Sequence, residues 1–447
     1  MPSGSSAPTL LRAGNKGDPA WSIVQNLLAV NHQEYHVFFS EVHDVLLHNH
    51  LPHHALTLYS LGATKEKIEW HFNNNTGYQR DQPEIAAELS DSLSDISNFK
   101  RHLGDPKEYR NFLLFFRREM ERDGYEKAVN RFLFGGDALS NEIFARLFTG
   151  FLHPLINAGF GIEFDLPFLV CEGLAMACTQ NDVDVVRFMN DIEESVSANQ
   201  ERVSLVEILD LCSSDQKLID AIPLEPFHIL DTEGLLGTQT AKVVDYARRF
   251  VVSEDEIALR SAELCNATSV MLAGAQRYNK EPRMDFFIMH ATNSSILVDS
   301  IVRKSWISPV SKARLLSWFG RFCIILHMIS GCPKLDLGPM RAYGPPNGLK
   351  TWIDAVESGK EYRDDGHGCK MIRALIHAEQ VSRPFENRPE FRMKKSDFEK
   401  AALVVASSFL PNDVVSRAGY DQAEAWVRFA GFDSAWEGVP TLTIAEA

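Results

Sequence analysis

The chain has 447 residues, 45% of them hydrophobic and 23% charged, with 45 Lys and Arg against 60 Asp and Glu and a formal net charge of −15. That much apolar mass suffices for a packed interior, and the length allows two or three domains. The acidic balance argues against nucleic acid or an anionic membrane surface as a partner, because both are bound by neutralising phosphate charge with Lys and Arg.

The start, Met1-Pro2-Ser3-Gly4-Ser5-Ser6-Ala7-Pro8, lacks the basic and apolar segments of a secretory signal and reads as part of a flexible tail over residues 1–18. Residues 19–447 read as one globular catalytic domain. Asn49-His50-x-Pro52 marks a helix start running through Leu56, Leu58 and Leu61 to Gly62. Asp105-Pro106, with Glu108 three residues after the cap, predicts a helix carrying Phe112, Phe115 and Phe116. The most apolar stretch, 144–178, is interrupted by Arg146, His153, Glu163, Asp165 and Glu172, which argues against a membrane span. Ser308-Pro309 starts another helix before Leu315, Leu316, Trp318, Phe319, Phe322 and Ile325. Ser396-Asp397-Phe398-Glu399 reads as a capping box leading into Ala401–Leu410, with Pro411 as the stop. Strict apolar and polar alternation is short and rare, and no strand–helix–strand rhythm or fixed repeat recurs. The fold class is therefore all-α or predominantly α-helical.

Seven cysteines are scattered and contain no C-x-x-C, so neither a disulfide framework nor a zinc ribbon is indicated, and a reducing, cytoplasmic setting is expected. The chain contains no G-x-G-x-x-G after a strand, no Walker A loop, no H-E-x-x-H, no G-x-S-x-G and no C-x-x-C-H. Flavin-nucleotide, serine hydrolase and haem-attachment readings have no motif to stand on.

Four histidines stand in apolar or tightly turned settings: His50, His153 before Pro154, His290 after Phe286-Phe287-Ile288-Met289, and His367 between Gly366 and Gly368. A polar ring in such surroundings needs a partner, and a metal is one. Taken singly, His50 reads equally as a helix cap, and His153 and His290 as core histidines with one hydrogen bond each. His367 and Lys370 lie three apart where a helix begins and can converge, although Lys370 also reads as a solvated lysine. His32, His36 and His43 read as exposed, and Asp365 as an exposed turn residue or a carboxylate orienting a histidine.

Taken together, Asn49-His50-x-Pro52 with Leu61-Gly62, His153 with Leu155-Ile156, His290-Ala291-Thr292 and His367-x-x-Lys370 resemble the questin oxidase-like family over most of the chain. That family covers fungal anthraquinone-cleaving oxygenases of polyketide pathways and the Baeyer–Villiger-type oxidase of aflatoxin biosynthesis. The resemblance implies a helical domain around a buried metal site, with Fe(II) held by His50, His153, His290, His367 and Lys370, the lysine carrying a CO2-derived carbamate. It places Thr292 beside the metal, and His53 and His54 are set at the pocket wall. Its implied activity is an O2-dependent dioxygenase opening the central quinone ring of an anthraquinone, a polycyclic aromatic substrate for which the 28 Phe, 7 Trp and 10 Tyr offer flat apolar surface. The alternative within the family is an NADPH-dependent Baeyer–Villiger monooxygenase acting on a questin-like anthraquinone; a partner reductase is a separate expected partner. A different class, a helical interaction protein with structural histidines, predicts no metal and no turnover to lose.

Overall fold

The computed structural model describes residues 11–15, 17–42, 45–85, 91–197, 202–222, 235–345, 348–409 and 425–442. These residues are predominantly α-helical, as the sequence predicts, with two small two-stranded sheets. The chain divides into two compact units, Arg12–Asp191 with Leu297–Lys312, and Met1–Leu11, Ile192–Ile296 and Ala313–Ala447.

In the unit containing residues 12–191, the helix Pro19–Glu34 begins where Asp18 accepts a hydrogen bond from the Ala20 amide at 2.9 Å. Residues 1–10 of the expected tail lie outside the described residues, while Arg12 donates its amide to the Ser60 carbonyl at 3.0 Å and Asp18 accepts from the Tyr59 hydroxyl at 3.2 Å. The helix Leu51–Ser60 is buried along its whole length, so no polar stripe marks it in the sequence. Asp105 caps a 3-10 turn, Pro106–Glu108, that runs into the helix Tyr109–Asp123. That helix contributes Phe112, Phe115 and Phe116 to an edge-to-face cluster with Phe99 and Phe132. The helices His153–Glu163 and Pro167–Thr179 press together closely. A Cβ on Gly173 would stand 2.4 Å from the Ala158 nitrogen, so only glycine fits there. Strands β1 (Phe38–Val42) and β2 (Val45–His48) form an antiparallel hairpin pairing Phe38 with His48.

In the other unit the buried helix Ile257–Gly274 packs on His367–Ser382, which packs on Lys395–Ser407. Strand β3 (Met284–Asp285) pairs in parallel with β4 (Trp426–Val427). The helix Pro309–Ile329, whose residues from Ala313 onward belong to this unit, begins after Ser308, whose hydroxyl accepts from the Ser311 amide at 3.2 Å. The capping box predicted at Ser396 is shifted. The cap residue is Lys394, because Asp397 reaches back to the Lys394 amide at 2.9 Å while holding Arg341 at 2.7 Å. Glu399, expected to close that box, instead accepts from the Trp352 amide at 3.1 Å, and the expected stop at Leu410 and Pro411 lies outside the described residues. All seven cysteines are free and buried. Among the described residues no helix is long and apolar enough to cross a membrane.

Candidate metal centre

Two clusters of buried histidines, one in each unit, contain the residues singled out by the sequence. In the first, His50 occupies the cap position of Leu51–Ser60 but does not itself cap. The adjacent Asn49 does so, accepting from the Leu51 amide at 2.9 Å while its amide nitrogen donates to Asn31 at 2.8 Å and to the His36 carbonyl at 3.2 Å. The cap duty falls to Asn49, and the His50 ring is turned to another partner.

That partner is His153, the first residue of its helix. Its Nδ1 lies 2.6 Å from the Gly150 carbonyl, an acceptor only, so Nδ1 carries the proton and Nε2 the lone pair. The His153 Nε2 stands 2.8 Å from the His50 Nε2, with the two rings 6° from parallel. His48 stacks on the face of the His153 ring at 3.8 Å and is held by Gln180. Two ring nitrogens this close share one proton or face one cation. The ring centroids lie 5.1 Å apart, so the two rings meet end to end with their Nε2 atoms facing.

His53 and His54, expected at a pocket wall, are buried, and His32 and His36 are not the exposed side chains that the sequence suggests. His53 is fully buried, its Nε2 2.8 Å from the Asn157 side-chain Oδ1, and His54 is buried against His71 with ring centroids 4.8 Å apart. His32 pairs with Glu172 at 2.7 Å. His36 is buried against Tyr109, and burial pulls its pKa down to about 4. His43 lies outside the described residues.

In the second cluster, His290 sits in the first turn of the helix Ile288–Val302 with its Nδ1 2.9 Å from the Phe286 carbonyl. Asp285, fully buried, fixes that helix start. One carboxylate oxygen accepts from the Phe287 and Ile288 amides at 2.7 and 2.9 Å, and the other from the Ala430 amide at 2.7 Å. His367 opens the helix His367–Ser382 after Gly366, whose φ of +100° favours glycine. Its Nδ1 donates to Asp365, which is buried and orients the ring, in place of the exposed turn aspartate that the sequence also allowed. Asp364 accepts from the Gly366 and Gly368 amides, both at 2.7 Å, and burial together with the neighbouring Asp365 charge raises its pKa to about 6.

The His290 and His367 rings are 5.7 Å apart, each against Phe286. Lys370, one turn beyond His367, is 3% exposed. Burial pulls its ammonium pKa down, while Asp365 and Asp364 oppose the shift. The Thr292 hydroxyl donates to the Thr268 carbonyl at 3.0 Å and so ties two helices together. His153, His290 and His367 thus share one arrangement: Nδ1 is bonded to a carbonyl or carboxylate, which points Nε2 away from that acceptor. Metal-binding histidines are oriented in this way. Asp285, Asp364 and His48 were missed as site residues, since their partners are backbone groups and rings that no local pattern announces.

The questin oxidase-like family model matches residues 47–375. The chain is 32% identical to Oxidoreductase AflY of Aspergillus parasiticus over 98% of its length and 93% of that protein. It is 32% identical to the questin oxidase of Aspergillus fumigatus, with 95% of each chain covered, and to the Baeyer–Villiger oxidase ptaJ of Pestalotiopsis fici, covering 93% of this chain and 92% of that one. With two sets of oriented imidazoles inside the matched region and full-length likeness to these oxidases, the chain belongs to the questin oxidase-like family.

Proposed function

We propose that this oxidoreductase is a non-haem iron(II)-dependent dioxygenase that opens the central quinone ring of an anthraquinone in fungal polyketide secondary metabolism. Its ligands are His50, His153, His290, His367 and a carboxylated Lys370. The observation that carries the reading is the common orientation of three buried histidines, each with its Nδ1 held by a carbonyl or carboxylate, as in metal-binding histidines. Membership of a family containing questin oxidases supports the substrate class.

Iron(II), when bound, supplies the means of activating O2. The chain's own residues do the rest. Gly150, Phe286 and Asp365 hold the ring protons at Nδ1, fixing the tautomer that ligation requires. Burial of Lys370 favours the neutral amine, whose Nζ forms a bond to the carbon of CO2 and loses a proton to give a carbamate. A cationic side chain becomes an anionic oxygen donor. Phe286, set between His290 and His367, provides an apolar face beside the ligand nitrogens.

Elemental analysis of the purified, active protein tests the reading: about one iron per chain is expected, and turnover without iron refutes it. The Baeyer–Villiger oxidases among the relatives favour a second reading, an NADPH-dependent monooxygenase served by a partner reductase. Labelling with 18O2 separates the two, since a dioxygenase places two labelled atoms in the product and a monooxygenase one.

A further inference from the structure

Three consecutive residues immediately before His153 have left-handed backbones: Gly150 at φ +53°, Phe151 at +50° and Leu152 at +70°. Glycine adopts this conformation freely, but for Phe and Leu it is strained. Such strain persists only where the surroundings enforce it, and it concentrates at functional positions. The enforcing groups are identifiable. Asp182 accepts from the Gly150 amide at 2.6 Å, the Thr149 hydroxyl donates to the Arg146 carbonyl at 2.6 Å, and Arg146 donates to the Gln180 carbonyl at 2.9 Å. Gln180 and His48 crowd Gly150 from the side, where a Cβ would lie 2.2 Å from the Gln180 amide nitrogen and 2.9 Å from the His48 Nε2.

Gly150 is also the residue whose carbonyl holds the His153 Nδ1. One residue therefore joins two hydrogen bonds in series: its amide is fixed by Asp182, and its carbonyl fixes the imidazole. We infer that Asp182 is a positioning residue for His153, acting through the strained Gly150–Leu152 turn to aim the His153 Nε2. The inference rests on His153 being a metal ligand. The same device recurs in the other unit, where Asp285 and Asp364 gather the backbone amides next to His290 and His367.

The test is Co(II) affinity of the full-length, metal-free protein, measured by chelator competition for wild type, Asp182→Ala, Asp182→Asn, His153→Ala and the Asp182→Ala/His153→Ala double variant. Asp182→Ala is expected to weaken Co(II) binding about 10- to 100-fold, the usual cost of losing an outer-shell partner. Asp182→Asn retains an acceptor oxygen for the Gly150 amide and is expected to stay within about threefold of wild type. In the His153→Ala background the Asp182 effect should disappear, because the two residues act in series. Should Asp182→Ala fail to fold, Asp182→Glu displaces the carboxylate by one methylene and is expected to weaken binding about fivefold or more. Wild-type affinity in Asp182→Ala, or an undiminished Asp182 effect without His153, overturns the positioning role. Wild-type affinity in His153→Ala instead overturns the ligand assignment on which it depends.

Discussion

His36 makes the stability of the unit around it depend on acid in a way that one substitution can isolate. Its ring stacks on Tyr109 at 5.0 Å, and its Nδ1 accepts from the Phe38 amide at 2.9 Å. Burial lowers its pKa from 6.5 to about 4, with the Arg80 charge adding to the shift and the Pro106 carbonyl opposing it. Below pH 6.5 the unfolded chain takes up a proton that the folded protein refuses. The stability contributed by the neutral ring is complete above pH 6.5 and is lost as pH falls towards 4. A shift of about 2.5 units is worth about 3 kcal/mol in full, and about 2.5 kcal/mol by pH 4.5. His36→Asn keeps an acceptor at the same spacing for the Phe38 amide but removes both the titration and the buried ring, at a cost of about 2 kcal/mol at pH 7. Urea unfolding followed by circular dichroism at pH 7 and pH 4.5 should show the variant less stable at neutral pH and level with wild type in acid. Midpoints that fall in parallel would refute the argument.

A Cβ at Gly368 would lie 2.6 Å from Phe409, whose ring is backed by Tyr362 at 4.1 Å, so Gly368→Ala should cost about 1–3 kcal/mol and lower iron content. Thermal unfolding and metal analysis check this, and a Phe409→Leu second change should restore both. Asp365→Ala removes the acceptor for the His367 Nδ1 and is expected to weaken iron binding about 10- to 100-fold while the protein remains folded, as read by anaerobic titration. Lys370→Met removes the carbamate site. It should abolish stoichiometric iron without lowering the stability of the metal-free protein, because a buried polar amine is exchanged for an apolar chain of similar length. Wild-type protein equilibrated with 13C-labelled bicarbonate should show a carbamate carbon resonance that Lys370→Met lacks.

Helix starts were legible wherever their determinants were local. Asp105 with Pro106, Ser308 with Pro309, and Asn49 with Pro52 each mark a real boundary, because a cap and a proline act on their immediate neighbours. The box at Ser396 was misplaced because Asp397, which also holds Arg341 56 residues away in sequence, serves an earlier cap. The division into two units is not readable, since one of them closes with the returning segment Leu297–Lys312. At the candidate centre the residue types and their order were legible, but their environments were not. The burial of His36 depends on Tyr109, and the pairing of His32 depends on Glu172, 140 positions along the chain. The orientation of His153 depends on a strained turn that nothing in Gly150-Phe151-Leu152 announces.

The buried cysteines have a chemical consequence for a protein proposed to handle O2. Oxidation and alkylation proceed through the thiolate, and burial pushes the Cys171 and Cys332 thiols up to about 12, with Cys369, beside Lys370, well above its ordinary value. The sulfurs are kept both out of contact with oxidants and in their inert, protonated form. They consequently serve as seven dormant reporters of opening: an alkylating reagent should label each only when its surroundings come apart. Cysteines reacting in separate kinetic groups would then show which parts of the fold loosen before others.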